Sequence, residues 1–385
     1  MFANVLGLAL ISSCLSIVAI KLVLTYCRKR PIGLDFPDRR KVHRTPVPRL
    51  GGLGILAGFA AAILFMGPGR EVVSLFAGAV IIFVVGLIDD LKNINWKYKM
   101  AGTVAATSIT VFYGGIVLDN LGDLFGAGPV RLGVLSVPFT FFCVIGVVNA
   151  LNMIDGLNGL AGGLSVIMLG AIAFFAYLSG SVAFVYIAVA LIGSLAGFLV
   201  FNYPKGSIFM GDSGSNLLGF ALAISAIALF RTKLPSEPMI PVVILSLPIF
   251  DTVRVMVGRM RKGKSPFYPD KTHIHHILTR VGVRSRKAVF VLCLLTLAFS
   301  VSAVVLREAK GWQLLILFVN NMVLLGIFIN FLVAKRVRGR RASVAPEEAV
   351  PQYGLLQTLE SDLNGLEVME PIVFLREQSE ESTRI

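Results

Sequence analysis

The sequence predicts an all-α polytopic membrane protein of about eleven transmembrane helices, with its N-terminus outside and its C-terminus in the cytoplasm. Three observations predict it. Of 385 residues, 56% are hydrophobic and only 15% charged, against about 25% charged in a soluble domain. Mean hydropathy is +0.80. Apolar stretches of roughly 20 residues recur along the chain, each long enough to cross a hydrocarbon core about 30 Å thick. A soluble globular enzyme, a disordered chain and a coiled coil are excluded on the same grounds.

Taken in order, the candidate spans run near 2–26, 50–67, 71–88, 101–118, 133–152, 159–178, 182–201, 214–230, 238–257, 288–306 and 312–334. The first lacks the basic start and small-residue cleavage site of a signal peptide, so it reads as a helix. Lys and Arg counts orient the set. Loop 27–49 holds eight, stretch 254–287 ten and 335–341 five, whereas the alternate loops offer only Arg70, Arg131, Arg231, Lys233, Arg307 and Lys310. Residues 1–334 are therefore expected to form a transmembrane domain with catalytic loops on the cytoplasmic side. Residues 335–385 are expected to form a cytoplasmic tail, polar and acidic, with a short amphipathic segment.

The formal net charge is +14. Because the basic residues sit in short loops between apolar spans, they mark a membrane face that attracts anionic headgroups rather than a nucleic-acid footprint. Cys14, Cys27, Cys143 and Cys293 form no CxxC pair. They read as small apolar residues, with neither a disulfide framework nor a zinc site.

Polar residues at the span ends carry the functional signal. Asp89, Asp90, Asn149, Asn152, Asp155, Asn158, Asn202, Asp212, Asp251, His273, His275 and His276 all fall on the cytoplasmic face in this orientation. The outer face has only scattered charges such as Asp119, Asp123 and Glu237. Ionisable groups beside hydrocarbon are costly and usually functional, so separate loops converging on one face suggest one shared site.

Each piece has a chemistry and a plainer alternative. Adjacent Asp89 and Asp90 repel unless a proton or cation intervenes. Hard oxygen ligands suit Mg²⁺, although the pair could also be a solvated helix end facing Lys92, Lys97 and Lys99. Asn149 and Asn152 share a helix face, before Asp155-Gly156 and Asn158-Gly159 break the helix. A structural loop uses the same turn residues. In Gly211-Asp212-Ser213-Gly214-Ser215, Ser213 or Ser215 could cap the next helix, whose N-terminus favours phosphate. His273, His275 and His276 lie among Lys262, Lys264, Lys271 and Arg280 and fit phosphate or sugar better than zinc, for which no thiolate is at hand. The basic loop from Asp35 to Arg44 reads either as a topogenic loop or as an attractor of anionic lipid.

Together these residues resemble the polyprenyl-phosphate N-acetylhexosamine-1-phosphate transferases of glycosyltransferase family 4, the undecaprenyl-phosphate GlcNAc-1-phosphate type among them. The matching marks are PDRRKVHRTPVPRLGG (37–52), GLIDD (86–90), NALNMIDGLNGLAGG (149–163), FMGDSGS (209–215), PIFD (248–251) and SPFYPDKTHIHH (265–276), in the family's order. The resemblance implies that a UDP-N-acetylhexosamine gives its sugar-1-phosphate to undecaprenyl phosphate at the bacterial inner membrane and releases UMP. It also implies that the product starts a lipid-linked cell-envelope glycan.

The resemblance also implies roles. Asp89 and Asp90 would match the pair tied to lipid phosphate and catalysis. Asp155 and Asp212 would match the loop acids, with Asp212 the foremost ligand of Mg²⁺ or, alternatively, Mn²⁺. Asn149, Asn152, Asn158, Asn202 and Asp251 would lie with the substrates, and the histidines would meet the sugar-nucleotide diphosphate. Apart from the resemblance, Lys97 and Lys99 are candidates to hold the lipid phosphate from their place at the interface. Asn158 stands where many relatives carry Asp, so it cannot be an obligatory base. Ile274 interrupts the histidine run that marks the phospho-MurNAc-pentapeptide branch, which favours GlcNAc. Another UDP-aminosugar of the FucNAc or QuiNAc kind is the alternative donor. A transporter is the rival class, although its ionisable residues would sit near mid-span, often within inverted repeats. A homodimer is the expected assembly.

Overall fold

The computed structural model describes residues 2–37, 45–62, 69–229, 237–265 and 272–343, with side chains as far as Ala334. Arg39, Arg40, Lys41, Arg44, Arg231, Lys233, Lys271 and the tail beyond 343 lie outside these.

The described chain is helical apart from one short ladder. Its helices are α1 Phe2–Lys29, α2 Gly51–Ala60, α3 Arg70–Lys92, α4 Trp96–Ser108, α5 Ser136–Ile154, α6 Leu160–Leu178, α7 Val182–Asn202, α8 Gly211–Ala228, α9 Met239–Ile244, α10 Ser246–Arg261, α11 Ile274–Arg280, α12 Ser285–Val305 and α13 Gly311–Ser343. Among the described residues, seven helices are long and apolar enough to cross a membrane: α1, α3, α5, α6, α7, α12 and α13.

The other four expected spans coincide with helices of a different kind. α2 has only 10 residues. α4 is polar at its start and ends in a widened π turn over Ile109–Tyr113. α8 is buried at every residue from Ser213 to Ala228. It therefore never meets lipid, and its polar first turn is affordable there. The span near 238–257 is broken into α9 and α10 at Leu245. Pro248 has no N–H to offer the carbonyl of Ile244, so the helix must restart. The 273–276 segment, read as a loop, opens the short helix α11.

Packing follows the small residues. α1 lies along α7 and α2. A Cβ at Gly193 would strike Ala9 O, and one at Gly197 would strike Ser13 O. These two glycines, four apart on one face, let the backbones of α1 and α7 approach as apolar side chains could not. α8 is enclosed by α3, α5, α2 and α6. β1 (Leu34–Asp35) and β2 (Val47–Pro48) pair antiparallel, with Leu34 opposite Pro48 and Asp35 opposite Val47. An Arg49–Asp35 ion pair ties the ladder. The C-terminal ends of α3, α5 and α7 and the N-terminal ends of α4 and α8 meet at one end of the bundle, through the hydrogen bonds described next.

Candidate active site

α8 begins where three other segments press on its first turn. Phe209 N–H donates to Pro48 O at 2.8 Å, Gly51 N–H to Phe209 O at 2.9 Å and Gly52 N–H to Met210 O at 3.0 Å. Gly211 then turns at φ +75°, a conformation that glycine adopts without strain. Gly52 and Gly86 leave backbone-close room for Ser213: a Cβ at Gly52 would meet Ser213 Oγ at 2.6 Å, and one at Gly86 would meet Ser213 Cα at 2.6 Å. The glycines of three separate sequence motifs thus serve one packing requirement.

The turn is capped from outside its own helix. Asp90 accepts from Asp212 N–H at 2.8 Å, from Ser213 N–H at 3.0 Å and from Ser213 Oγ at 2.7 Å. Ser213 and Ser215, expected as caps, lie inside the helix, and Ser215 Oγ donates back to Gly211 O at 3.1 Å. A carboxylate at a helix N-terminus is favoured by both the free N–H groups and the dipole. All of Asp90's described bonds are therefore spent on holding α8.

Asp89 has a different environment. It accepts from Ile94 N–H at 2.9 Å and from Lys99 Nζ at 3.0 Å. The same Nζ lies 2.9 Å from Asp212 Oδ2. Lys99 therefore joins the end of α3 to the start of α8 from the first turn of α4. It is half-buried, whereas Lys97 is exposed. Two positions apart, the two lysines face different sides of α4, and only Lys99 makes these ion pairs.

Asp155 follows the last turn of α5. Its carboxyl is pushed up to about 7, chiefly by burial and then by the charges of Asp212 and Asp90. That places its carboxylate within electrostatic reach of both. Asn152 donates to Asn216 Oδ1 at 2.9 Å, tying α5 to the second turn of α8. Asn149 turns back on its own helix, donating to Ile145 O at 3.0 Å. Asn158 packs over Gly206. Asn202 accepts from Gly159 N–H at 2.6 Å and donates to Ile208 O at 2.8 Å. Both ends of that buried amide hold loops rather than face an open site.

The histidines form a second layer. Asp251 of α10 pairs with His273 Nδ1 at 2.8 Å, accepts from Ile274 N–H at 2.8 Å and from Arg254 Nη2 at 2.9 Å. Arg254 also donates to Thr272 O. His275 is 1% exposed. Its ring lies 4.1 Å from that of His276 and stacks on that of His273 at 6.1 Å. Neither ring nitrogen of His275 finds a partner among the described residues. Burial, and next the neighbouring His276, pushes its imidazole down to about 3. Its Nε2 faces Gly156, where any Cβ would overlap it. The histidine layer therefore touches the Asp155 loop.

Beside Asp90 opens a cavity of about 430 Å³. Its walls combine apolar Pro31, Leu34, Phe36 and Leu91 with Arg49, Asn93 and the carboxylates of Asp35 and Asp90.

A family model described as glycosyl transferase family 4 matches residues 72–230. The chain is 36% identical over 315 residues to "Probable undecaprenyl-phosphate N-acetylglucosaminyl 1-phosphate transferase" of Bacillus subtilis (strain 168), covering 81% of this chain and 88% of that one. The chain belongs to glycosyl transferase family 4. To "Undecaprenyl-phosphate alpha-N-acetylglucosaminyl 1-phosphate transferase" of Escherichia coli (strain K12) it is 34% identical, over 80% of this chain and 88% of the other. To the Yersinia pestis protein of the same name it is 33% identical, over 83% and 92%.

The family 4 match spans the residues from α3 to α8 that build the carboxylate–lysine centre. The structure brings Asp89, Asp90, Lys99, Asp155, Asp212 and Asn152 together, and sets Asp251, His273, His275 and His276 beside them through Gly156. It does not bring in Lys97, and it gives Asn149 and Asn202 internal bonds. Sequence reasoning missed Arg254 and Asn216, and read Ser213 as a cap where it donates to Asp90. Arg254 was within reach, since it stands three positions after Asp251 on one helix face.

Proposed function

We propose that this chain transfers N-acetylglucosamine-1-phosphate from UDP-N-acetylglucosamine to undecaprenyl phosphate and releases UMP. What carries the reading is Lys99, which draws Asp89 and Asp212 to one cation although they lie on separate helices. The curated relatives named above supply the substrate pair. The reaction would run at the cytoplasmic face of the bacterial inner membrane, with the N-terminus outside. The basic loops at the site's end of the bundle support that orientation.

In the proposed step, an oxygen of the lipid phosphate attacks the sugar-bearing phosphorus of the donor. The bond from that phosphorus to the bridging oxygen breaks, and UMP leaves. Such a transfer depends on position and charge more than on covalent help from the protein. Asp89 would take the proton of the lipid phosphate, because the described bonds of Asp90 hold α8. Lys99 would pair with the phosphate charge. The cavity beside Asp90 would take the head of the prenyl phosphate: Leu34, Phe36 and Leu91 would meet the first isoprene units, and Arg49 would exchange its ion pair with Asp35 for the anion. His273 and His276 would face the donor diphosphate.

The donor set fits a magnesium ion of the open kind. Among the described residues no group of three or more His, Cys, Asp or Glu stands ready as a cage. Magnesium at phosphates, however, needs only one or two carboxylates, with water and phosphate oxygens completing the shell. Asp212 and Asp155 would hold it: the charge of Asp212 bears on Asp155, and Lys99 offsets only Asp89 and Asp212 among the described residues, which leaves negative charge for the ion to balance. When bound, it would offset the diphosphate charge and ease departure of UMP. Manganese would substitute.

The test is UMP release from purified protein in lipid vesicles given undecaprenyl phosphate, Mg²⁺ and a panel of UDP-aminosugars. Turnover with UDP-N-acetylglucosamine that stops on adding EDTA supports the reading. Preference for another UDP-aminosugar would move the donor, and no turnover with any would overturn the function. UMP exchange into the UDP-sugar without lipid would instead indicate a covalent aspartyl intermediate.

A further inference from the structure

Residues 272–274 lead into the histidine helix α11, and each of them is bonded to α10. Thr272 O accepts from Arg254 Nη2, His273 Nδ1 pairs with Asp251 Oδ2 at 2.8 Å, and Ile274 N–H donates to Asp251 Oδ1 at 2.8 Å. A carboxylate only accepts, so His273 Nδ1 carries the proton and Nε2 is the ring nitrogen left for a ligand. α11 has only 7 residues and no side-chain cap on its first turn, and so short a helix does not hold its place unaided. The direction of His273 Nε2 is therefore set from α10.

Arg254 closes this arrangement. Its Nη2 also donates to Asp251 Oδ1 at 2.9 Å, so a single nitrogen links the carboxylate to the carbonyl immediately before His273. Thr272 O is held on one side of His273 and Ile274 N–H on the other. The peptide planes that flank the ring cannot turn without breaking one of these bonds. The same guanidinium leaves its Nε buried and without a partner among the described residues. An orphaned buried donor is destabilising, so a tie that served stability alone would do better with a side chain that lacks it.

We propose that Arg254 is a positioning residue for the sugar-nucleotide donor: by clasping Thr272 O to Asp251 it aims His273 Nε2 at the donor diphosphate. This role rests on the transfer reaction proposed above. The clasp, and not the charge alone, is what the role requires. Lysine at this position would keep a cation beside Asp251, three positions back on one face of α10. Its side chain ends one bond sooner and presents a point charge where arginine presents a fork, so it would give up Thr272 O, which stands 18 positions away in sequence.

The test uses the full chain in lipid vesicles with Mg²⁺, reading UMP release while UDP-N-acetylglucosamine and undecaprenyl phosphate are varied in turn. Arg254→Met is expected to raise KM for the donor at least about ten-fold, the usual worth of a hydrogen bond to a charged group, and to leave KM for the lipid within about two-fold. Arg254→Lys should unfold within about 2 °C of the parent and still show most of the donor defect. Backbone hydrogen exchange over residues 272–280 should quicken at least about ten-fold in both variants, as local opening becomes easier. Donor kinetics fully restored in Arg254→Lys would reduce the residue to a counter-charge and overturn the proposal. An equal rise in KM for both substrates, which marks a general structural loss, or unaltered exchange would overturn it as well. An active parent matched by both variants would overturn this role alone, whereas a parent without turnover would overturn the function and this role with it.

Discussion

Asp90, at the end of α3, closes the N-terminus of α8 by accepting the amide of Asp212 at 2.8 Å. Its neighbour Asp89 instead shares Lys99 with Asp212. Two adjacent carboxylates therefore do different work, one holding the helix that carries Asp212 and the other facing its charge.

Asp90→Asn should lower both activity and stability. An amide has one acceptor where the carboxylate has two, so at least one N–H of the α8 turn loses its partner. That costs about 1–3 kcal/mol, or about 2–6 °C in unfolding midpoint. Asp89→Asn should abolish turnover with the midpoint within about 2 °C of wild type. Thermal unfolding and UMP release on the two purified variants check this, and equal midpoints would assign both residues to chemistry alone.

Lys99→Met should cut turnover at least about a hundred-fold, because a preorganised cation near developing charge is commonly worth that much. It also leaves Asp89 and Asp212 facing each other uncompensated. Lys99→Arg should restore part of the rate. Steady-state kinetics in vesicles decides between these and a purely structural lysine, for which arginine would restore the whole.

Protein stripped of divalent cation should lose stability as pH rises. The Asp155 carboxyl is held at about 7, above its value of about 3.9 in the unfolded chain. Between those values the folded state binds a proton that the unfolded state has released, so stability is full below about pH 4 and declines as pH climbs through 7. Asp155→Asn should flatten the decline. Melting curves from pH 5 to 8 in EDTA read it directly, and a midpoint that rises over this range would contradict the raised value.

Asn202→Ala should destabilise without changing donor affinity. Two buried hydrogen bonds disappear and leave Gly159 N–H and Ile208 O unpaired, at about 1–3 kcal/mol for each orphaned group. The KM for the UDP-sugar should stay within about two-fold. A ten-fold rise in KM at unchanged stability would return Asn202 to the substrate.

Gly156→Ala should damage the histidine layer from a distance. Its Cβ would overlap His275 Nε2, so the ring or the Asp155 loop must shift. A misplacement of about 1 Å can cost about a hundred-fold in rate. We expect kcat/KM for the donor to fall at least about ten-fold while the protein still inserts and purifies as a folded species. Unchanged kinetics would detach the histidine layer from the Asp155 loop.

Much of this protein was legible in one dimension. Hydropathy anticipates the seven helices that are long and apolar enough to cross a membrane, and polar residues at span ends point to the candidate site. The reading failed where burial changed the rule. α8 is enclosed by protein, so the length and hydropathy a lipid-facing span needs do not apply to it. Pro248 divides what a sliding window reads as one span. The expected caps Ser213 and Ser215 yielded to Asp90, which is 122 positions from Asp212 in sequence and hence invisible to any local pattern.

By itself, the sequence determined the membrane class, the alternation of basic loops and the list of residue types available for chemistry. These depend on composition and spacing, which a chain carries before it folds. Tertiary structure alone decided which carboxylate caps and which faces the lysine, that Lys99 and not Lys97 enters the site, and that Asn202 binds backbone. Each of those outcomes follows from helix-end geometry, where an ångström of approach, made possible by glycines on three different segments, selects one partner among several chemically equal candidates.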